Sequence, residues 1–389
     1  MEDFHVLLNR LKQNEIAHNK KQKKILLLTV TIGVILGALL VKWESVFFHN
    51  NRSFVFFLFA LLFTEVLQVI LHEAGHLVFG LLSGYRFVSF RVFSFAIYRK
   101  NSKIRFGRYR VAGTMGQCLL APKQENSDTL PYRALLWGGV IANLLFTLLS
   151  LLPLIFCYSL LPDPLVSLLI GTAFWGVILA LTNGIPYQSG NVATDGYHAV
   201  KLKKSSSERA AFSCQLLIHQ ALTEGRRLAD MPQSWFTLSQ TDSVTALSFP
   251  IEAFAIDREM ELEHFDQAEH KIVSLIQNSK NLPQPFFSAL VAELWYLEMI
   301  GKHRHNAVEA YRCALDRHLK LTQNTLSTLR ILSTYHYLFT GDLKQIEKFE
   351  IKRQKRIKHY PFTSEIERET MLLSHPKERY TAWQKQSHR

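Results

Sequence analysis

The sequence predicts an α-helical polytopic membrane protein with about four transmembrane helices, a membrane-associated β-hairpin and a C-terminal α-helical, repeat-like soluble domain. Three observations support this fold class. Long apolar runs are concentrated in the first half of the 389-residue chain. Aromatic and β-branched residues then alternate with basic ones between two of these runs, which is typical of strands. After about residue 200, the apolar residues recur at helical spacing in a polar background.

Residues 1–24 form a basic tail, expected to be cytosolic. The whole chain carries a formal net charge of +13, which is compatible with a nucleic-acid partner or with an anionic membrane surface. Its basic residues crowd beside the apolar runs, as positive charges do at the cytosolic ends of membrane helices. The sequence therefore favours a lipid bilayer over nucleic acid as the partner. Basic side chains in the tail are Arg10, Lys12, Lys20, Lys21, Lys23 and Lys24.

Residues 25–200 are expected to form the membrane domain. A helix needs roughly 20 apolar residues to cross the hydrocarbon core, and the second run exceeds this length, so it must tilt or protrude. The turn "SLLPDP" joins the last two runs into a helical hairpin. The first run lacks an obvious small-residue cleavage site, which favours a retained span over a signal peptide. Predicted spans are about 25–41, 54–82, 134–158 and 165–183.

Loop charges predict the orientation of these spans. Segment 85–133 contains ten Lys or Arg residues and two acidic residues, whereas the loops at 42–53 and 159–164 carry few basic residues. The positive-inside rule then places both termini and segment 85–133 in the cytosol. A compact protein of this topology suits a bacterial plasma membrane.

A β-hairpin is expected over about 86–110, turning near Arg99–Ser102. From Lys103 to Arg108, basic and apolar residues largely alternate. Few acids and many apolar residues favour a hairpin that lies at the membrane surface. A small cytosolic hairpin is the alternative.

Residues 201–389 are expected to form a cytosolic α-helical, repeat-like domain. Three loosely similar segments recur at roughly 40 residues, a spacing within the range of helical hairpin repeats. Such arrays bind peptides on a concave face, so a protein partner is possible here. The similar segments are Leu262–Ile272, Lys302–Leu315 and Gly341–Ile351.

The stretch "LHEAGHLV" places titratable residues inside an apolar run, where they are costly without a function. His72 and His76 are four residues apart, so on a helix they share one face and can clamp a metal ion. Glu73 lies about 100° around the helix from His72. It is well placed to accept a proton from a metal-bound water molecule.

Catalytic zinc usually has three protein ligands, so two histidines leave the site incomplete. Asp195 follows the cytosolic end of the last predicted span and is the favoured third ligand. His198, three residues later, is the alternative. Asn183 and Pro186 would interrupt the last span, and broken helices at membrane depth persist where they line a cavity.

These residues resemble the site-2 protease family of intramembrane zinc metalloproteases. The resemblance covers roughly residues 54–200 and rests on the His72–His76 motif, on Asn143 within "GGVIANLL", and on Asn183-x-x-Pro leading to Asp195-Gly. It implies a three-helix core, a β-hairpin after the first core helix, and a membrane-protein or peptide-precursor substrate. It also implies that Zn²⁺ is bound by His72, His76 and Asp195, that Glu73 is the general base, and that Asn143 and Asn183 contact substrate.

The sequence also departs from that family. The stretch between Asn183 and Asp195 is longer than the compact form common in the family, and no PDZ-like insertion is visible. Substrate selection is therefore expected to involve the C-terminal helical domain, which the resemblance does not cover.

Two further polar residues, Glu65 and Gln68, lie on the helix face of the histidines. Gln68 could orient an imidazole, whereas Glu65 could line a water path or sit at the outer boundary of the helix. Two other functions stay open: a non-proteolytic membrane scaffold that binds peptides through its C-terminal repeats, and a membrane metal transporter or sensor. An intact Glu73 argues against the scaffold, and the scarcity of polar residues in the other spans argues against the transporter.

Overall fold

The computed structural model describes residues 6–20, 23–24, 27, 31, 51–109, 114–123, 130–189, 192–237, 245, 247–279 and 282–387. Residues 6–20 belong to the first helix, α1. Apart from Leu27 and Thr31, the predicted first span at 25–41 lies outside these residues.

Three helices in the described part are long and apolar enough to cross a membrane: α2 (Asn51–Leu82), α3 (Tyr132–Phe156) and α4 (Asp163–Gly184). They match the three later predicted spans to within a few residues. Pro164 stands in the first turn of α4, where its missing N–H needs no partner. The helix ends at Gly184, just before Ile185 and Pro186, because the residue before a proline disfavours helical backbone.

The three helices pack on each other through small and polar residues and expose large apolar ones. Leu144 and Leu148 on α3 are exposed, whereas Gly138 and Thr147 on the same helix are buried. A Cβ atom at Gly75 of α2 would lie 2.3 Å from the Gly138 carbonyl oxygen, so these two helices approach to backbone contact. Close crossings at small residues are typical of helices in lipid.

A four-stranded antiparallel sheet follows α2, in the strand order β3-β2-β1-β4. Strands β2 and β3 are joined by a tight turn at Asn101 and Ser102, both with positive φ, which suits a two-residue hairpin loop. The sheet is larger than the expected single hairpin, because β1 pairs with β2 on one side and with β4 on the other. The strands are β1 (Arg86–Val92), β2 (Phe95–Lys100), β3 (Lys103–Arg108) and β4 (Gly116–Ala121).

A short connection links the last membrane helix to the C-terminal domain. Two-residue strands β5 (Gln188–Ser189) and β6 (Val192–Ala193) pair and lead into α5 (Asp195–Lys204). The Thr194 hydroxyl caps α5 by accepting a hydrogen bond from the Tyr197 backbone N–H. The cap fixes the direction of the first turn of α5, where Asp195 lies.

The C-terminal domain is helical, as predicted. Its pairs α7–α8, α9–α10 and α11–α12 pack together. The residues before α8, α10 and α12 repeat one turn geometry: Glu263, His303 and Gly341 all have positive φ and all stand two residues before a helix. The helices are α6 (Ser206–Glu224), α7 (Phe249–Glu261), α8 (Phe265–Asn278), α9 (Gln284–Ile300), α10 (His305–Thr322), α11 (Leu326–Tyr335), α12 (Leu343–Ile357) and α13 (Thr363–Ser387), with a π-helical turn at His336–Thr340.

Helix α1 packs against this domain. Leu7 and Leu11 are buried in its main hydrophobic core. Arg10 donates hydrogen bonds to the carbonyl oxygens of Ile276 and Ser279, at 2.9 and 2.7 Å, at the end of α8. The N-terminal helix is therefore part of the same packed unit as the C-terminal domain.

The sheet also contacts the C-terminal domain, through the segment that precedes α13. The Arg108 backbone N–H donates to the His359 carbonyl at 2.9 Å. Lys100 Nζ donates to the Thr363 hydroxyl at 2.9 Å. These bonds hold the sheet between the spanning helices and the helical domain.

Candidate metal centre

Two histidines of α2 and the aspartate that begins α5 converge on one point. His72 Nε2 lies 3.1 Å from both His76 Nε2 and Asp195 Oδ2, and His76 Nε2 lies 3.4 Å from Asp195 Oδ2. In a tetrahedral zinc site with bonds of about 2.0–2.1 Å, ligand atoms lie about 3.3–3.4 Å apart. The triangle therefore matches one face of such a site. Among the described residues, these are the three metal-binding side chains grouped in this way.

The outer nitrogens of both imidazoles are hydrogen-bonded, which leaves the Nε2 atoms for a metal. His72 Nδ1 lies 2.6 Å from Asn143 Oδ1, and His76 Nδ1 lies 2.7 Å from the Leu135 carbonyl oxygen. Both partners are acceptors, so each Nδ1 carries the hydrogen and each Nε2 keeps its lone pair. Helix α3 thus sets the tautomer of both histidines.

Asn143 is itself held by a buried chain of amides. Its Nδ2 donates to the side-chain and main-chain oxygens of Gln68, at 2.6 and 3.1 Å, and Gln68 Nε2 donates to the Thr172 carbonyl at 2.8 Å. Asn143 and Gln68 are fully buried. Both hydrogens of the Asn143 amide are directed at Gln68, so this placement favours a positioning role over the substrate contact implied by the family resemblance.

A glycine on α3 makes room for the two imidazoles. A Cβ atom at Gly139 would lie 2.6 Å from His72 Cε1 and 2.6 Å from His76 Nε2. Real Cβ atoms do not approach other atoms that closely. Sequence reasoning did not assign this glycine to the site, because its role depends on the contact between two helices far apart in sequence.

Glu73 lies beside the triangle and is buried against strand β4. A Cβ atom at Gly116 would lie 2.4 Å from Glu73 Oε1, so the strand passes directly over the carboxylate. Arg91 of β1 is fully buried and donates to the Gly116 carbonyl at 3.2 Å. The sheet, rather than a membrane helix, thus covers the general-base candidate.

The site opens into a cavity of about 620 Å³. His72, Glu73, His76 and Asp195 line it together with Asn183. Strand β4 forms one part of the wall, and residues from α6, α7 and α9 of the C-terminal domain form another. The cavity is large enough for a short length of peptide.

The other predicted residues lie at different distances from this centre. Asn183 lines the cavity, and its Nδ2 donates to the Leu179 carbonyl at 2.9 Å. His198 also lines the cavity, but the described structure groups Asp195, and not His198, with the two histidines. Glu65 is partly buried and is not among the residues that line the cavity.

The electrostatics of Asp195 agree with its position in the triangle. Burial alone would raise the pKa of its carboxyl, but His76 and His72, when protonated, hold that pKa well below its usual range, and a cation bound between neutral imidazoles would act in the same direction. Asp195 is therefore a carboxylate, the form in which it can bind a cation. Two imidazole nitrogens and a carboxylate oxygen are a donor set that could hold a divalent metal ion, and Glu73 lies beside it. Comparison of the chain with family models, with curated proteins and with solved structures finds no match in any of the three.

Proposed function

We propose that this protein is an intramembrane zinc metalloendopeptidase, which hydrolyses a peptide bond in or next to a membrane-embedded substrate. The observation that carries the proposal is the triangle of His72, His76 and Asp195 with Glu73 beside it, at one end of a helix long enough to span a bilayer. A purely structural cluster would have no need of a carboxylate, two oriented imidazoles and a cavity in one place.

The chain's own residues have separate roles in this reaction. Bound by the three side chains, zinc would lower the pKa of a water molecule toward about 7 and polarise the substrate carbonyl. Glu73 accepts the proton of the attacking water and delivers it to the leaving amine. Asn143 and Gln68 hold His72 in the required orientation, and Asn183 is placed to contact the substrate from the cavity wall.

Strand β4 supplies a route for positioning the substrate. Among the described strands it pairs only with β1, so it is an edge of the sheet, and it lies directly over Glu73. A substrate helix must unwind before its carbonyls are accessible, and an unwound segment can add to a sheet edge. The edge next to the carboxylate is thus β4, whereas β3 is the far edge of the same sheet.

The setting is an integral, multi-pass membrane protein, and we place it in a bacterial plasma membrane with both termini cytosolic. The packing of α1 on the C-terminal domain supports a common side for the two termini. Exposed Phe95 and Phe106 on the sheet, next to the basic residues of β3, support contact of the sheet with the bilayer surface.

Zinc analysis of detergent-purified protein is the first test. Wild type should contain one zinc ion per chain, and His72→Ala and Asp195→Ala should lose it. If His72→Ala loses zinc and Asp195→Ala keeps it, His198 becomes the candidate for the third ligand. Glu73→Gln should keep zinc and lose cleavage of a single-span reporter protein, and retained cleavage would refute the protease.

A non-proteolytic scaffold is the second candidate, and one feature favours it. A cavity of about 480 Å³ lies in the C-terminal domain between α8, α9, α10 and α1, and is lined by both charged and apolar residues. Helical repeats use such concave surfaces to bind peptides. In this case the protein would bind its partner equally well with Glu73→Gln or His72→Ala.

A further inference from the structure

The C-terminal domain contributes directly to the cavity that contains the metal centre. Helix α6 provides Phe212, Gln215, Leu216 and His219, and Phe286 comes from the start of α9. These residues lie far in sequence from the segment that resembles the protease family. The active-site cavity is therefore shared between the membrane domain and the helical domain.

This shared wall is packed as a protein interior and not as a loose contact. Leu216 of α6 and Leu247 belong to one buried cluster with Leu120 of β4 and with Leu135 and Leu136 of α3. A continuous core of this kind keeps α6 at a fixed place relative to the strand that covers Glu73. The wall thus shares one hydrophobic core with the rest of the site.

The wall is mostly apolar and carries no formal charge among its described residues. Phe286 stacks on Phe249 with ring centroids 3.8 Å apart, and Pro250 follows at the start of α7. His219 packs edge-on against Phe254, and burial lowers the pKa of its imidazole to about 4, so it is neutral at physiological pH. Gln215 is the remaining polar side chain that α6 turns to the cavity.

A charged side chain placed against such a wall would lose its hydration without gaining a partner. A large apolar side chain would instead bury its surface against the aromatic and aliphatic groups. Along an extended peptide, side chains alternate in direction, so a segment paired with β4 points every second side chain to the same side.

We propose that α6, α7 and α9 form the specificity wall of the active site, which selects extended peptide segments with large apolar side chains and rejects charged ones. This inference rests on the proposed function and names its substrate class. It assigns to the C-terminal domain a direct contact with the substrate, in addition to any binding of regulators by its repeats.

The test is equilibrium binding of fluorescent peptides to zinc-loaded Glu73→Gln protein in detergent, with binding to empty micelles subtracted. The probes are peptides of alternating serine and leucine, and matched peptides in which glutamate or lysine replaces leucine. Binding of the leucine peptide should be at least about tenfold tighter than that of either charged peptide. Phe286→Ala should weaken its binding by about tenfold, since one aromatic contact is removed.

A second variant tests the wall by changing its charge. Gln215→Lys should weaken binding of the leucine peptide and strengthen binding of the glutamate peptide, and Leu321→Ala, on the exposed face of α10, should change neither. Because Phe286 stacks on Phe249, Phe286→Leu serves as the milder change if the alanine variant fails to fold. Zinc content of every variant shows that the metal centre is intact.

Two results would contradict the proposed role of the specificity wall. One is equal binding of the three peptides, and the other is binding that Phe286→Ala, Phe286→Leu and Gln215→Lys leave unchanged. Absence of any peptide binding in zinc-loaded protein would also contradict that role. The protease proposal fails differently, through a wild-type protein that holds zinc and does not cleave. In that event, the expected pattern of peptide binding would still support the wall, because the binding measurement requires no hydrolysis.

Discussion

The side-chain oxygen of Asn143 on α3 lies 2.6 Å from Nδ1 of His72 on α2, so a residue of one apolar helix sets the tautomer of a candidate metal ligand on its neighbour. The same amide is anchored to Gln68. Orientation of the ligand therefore depends on a contact between two helices and not on the motif alone. In metal sites, such outer partners are worth about 10–100-fold in metal affinity.

Asn143→Leu should lower zinc affinity by about 10–100-fold, because His72 loses the acceptor that holds its Nδ1 hydrogen. Competition with a chelator of known affinity measures the change. Asn183→Leu is the control, since Asn183 lines the cavity but does not contact the histidines in the hydrogen bonds described above. It should keep the affinity and lower cleavage. Equal zinc affinity in wild type and Asn143→Leu would contradict the positioning role.

Gly139→Ala should abolish zinc binding while the protein still inserts in the membrane. The added methyl group would lie 2.6 Å from atoms of both imidazoles, so the histidines must rotate out of the triangle. Gly184→Ala is a matched control on α4, where the nearest atom would be at an ordinary contact distance of 3.5 Å. Zinc content of the two purified variants is the measurement, and normal zinc in Gly139→Ala would show that the site is looser than described.

These residues also show what sequence alone can predict. Helical spacing brings His72 and His76 to one face, and the apolar runs predict the three described spans, because both signals are local. Strand β4 was not predicted, since its pairing with β1 joins segments separated by a long connection. The role of Asn143 and the wall formed by α6 depend on contacts between elements far apart in the chain, which periodicity does not report.

A disulfide between Gly107→Cys and Pro361→Cys should form readily and leave cleavage unchanged. An added Cβ at Gly107 would lie 3.5 Å from the Cβ of Pro361, within the range that a disulfide spans, and 3.0 Å from Cε1 of Tyr98, whose side chain must shift slightly. The crosslink would join β3 to the segment before α13. If the C-terminal domain is a fixed wall, oxidised and reduced protein should cleave a reporter at the same rate. Activity that is lost on oxidation and returns with reductant would show instead that the domain must move.

Arg330→Ala should destabilise the C-terminal domain by about 3–5 kcal/mol in free energy of unfolding. Arg330 is almost fully buried and lies 2.7 Å from carboxylate oxygens of both Glu293 and Glu369. Its removal leaves Glu293 without this cation and leaves Glu369 with the more distant Arg368, at 3.5 Å. Arg312→Ala breaks the exposed pair with Glu309 and should change stability by less than about 1 kcal/mol. Unfolding by denaturant, monitored by tryptophan fluorescence, measures the free energy of unfolding of both variants. An equal decrease in the two variants would contradict a stabilising role of the buried network.

Stability should also depend on pH through Glu365, whose carboxyl accepts a hydrogen bond from the Tyr360 hydroxyl at 2.8 Å. Burial raises the pKa of Glu365 from its ordinary value of 4.5 to about 7, although Arg368 and Tyr360 act in the opposite direction. The folded protein therefore keeps a proton that the unfolded chain releases above about pH 4.5. This contribution to stability is complete below that pH and is lost as the pH rises to about 7.

Glu365→Gln removes the titration, so the melting temperature of wild type relative to this variant should fall between about pH 5 and about pH 8. Glu367→Gln, at an exposed position on the same helix, is the control for the loss of a negative charge. At each pH, the melting temperature of each variant is subtracted from that of wild type. This difference removes the contributions of the other titrating groups of the chain. A difference that stays constant over this range would mean that Glu365 is ionised in the folded protein, held by Arg368 more strongly than burial opposes it.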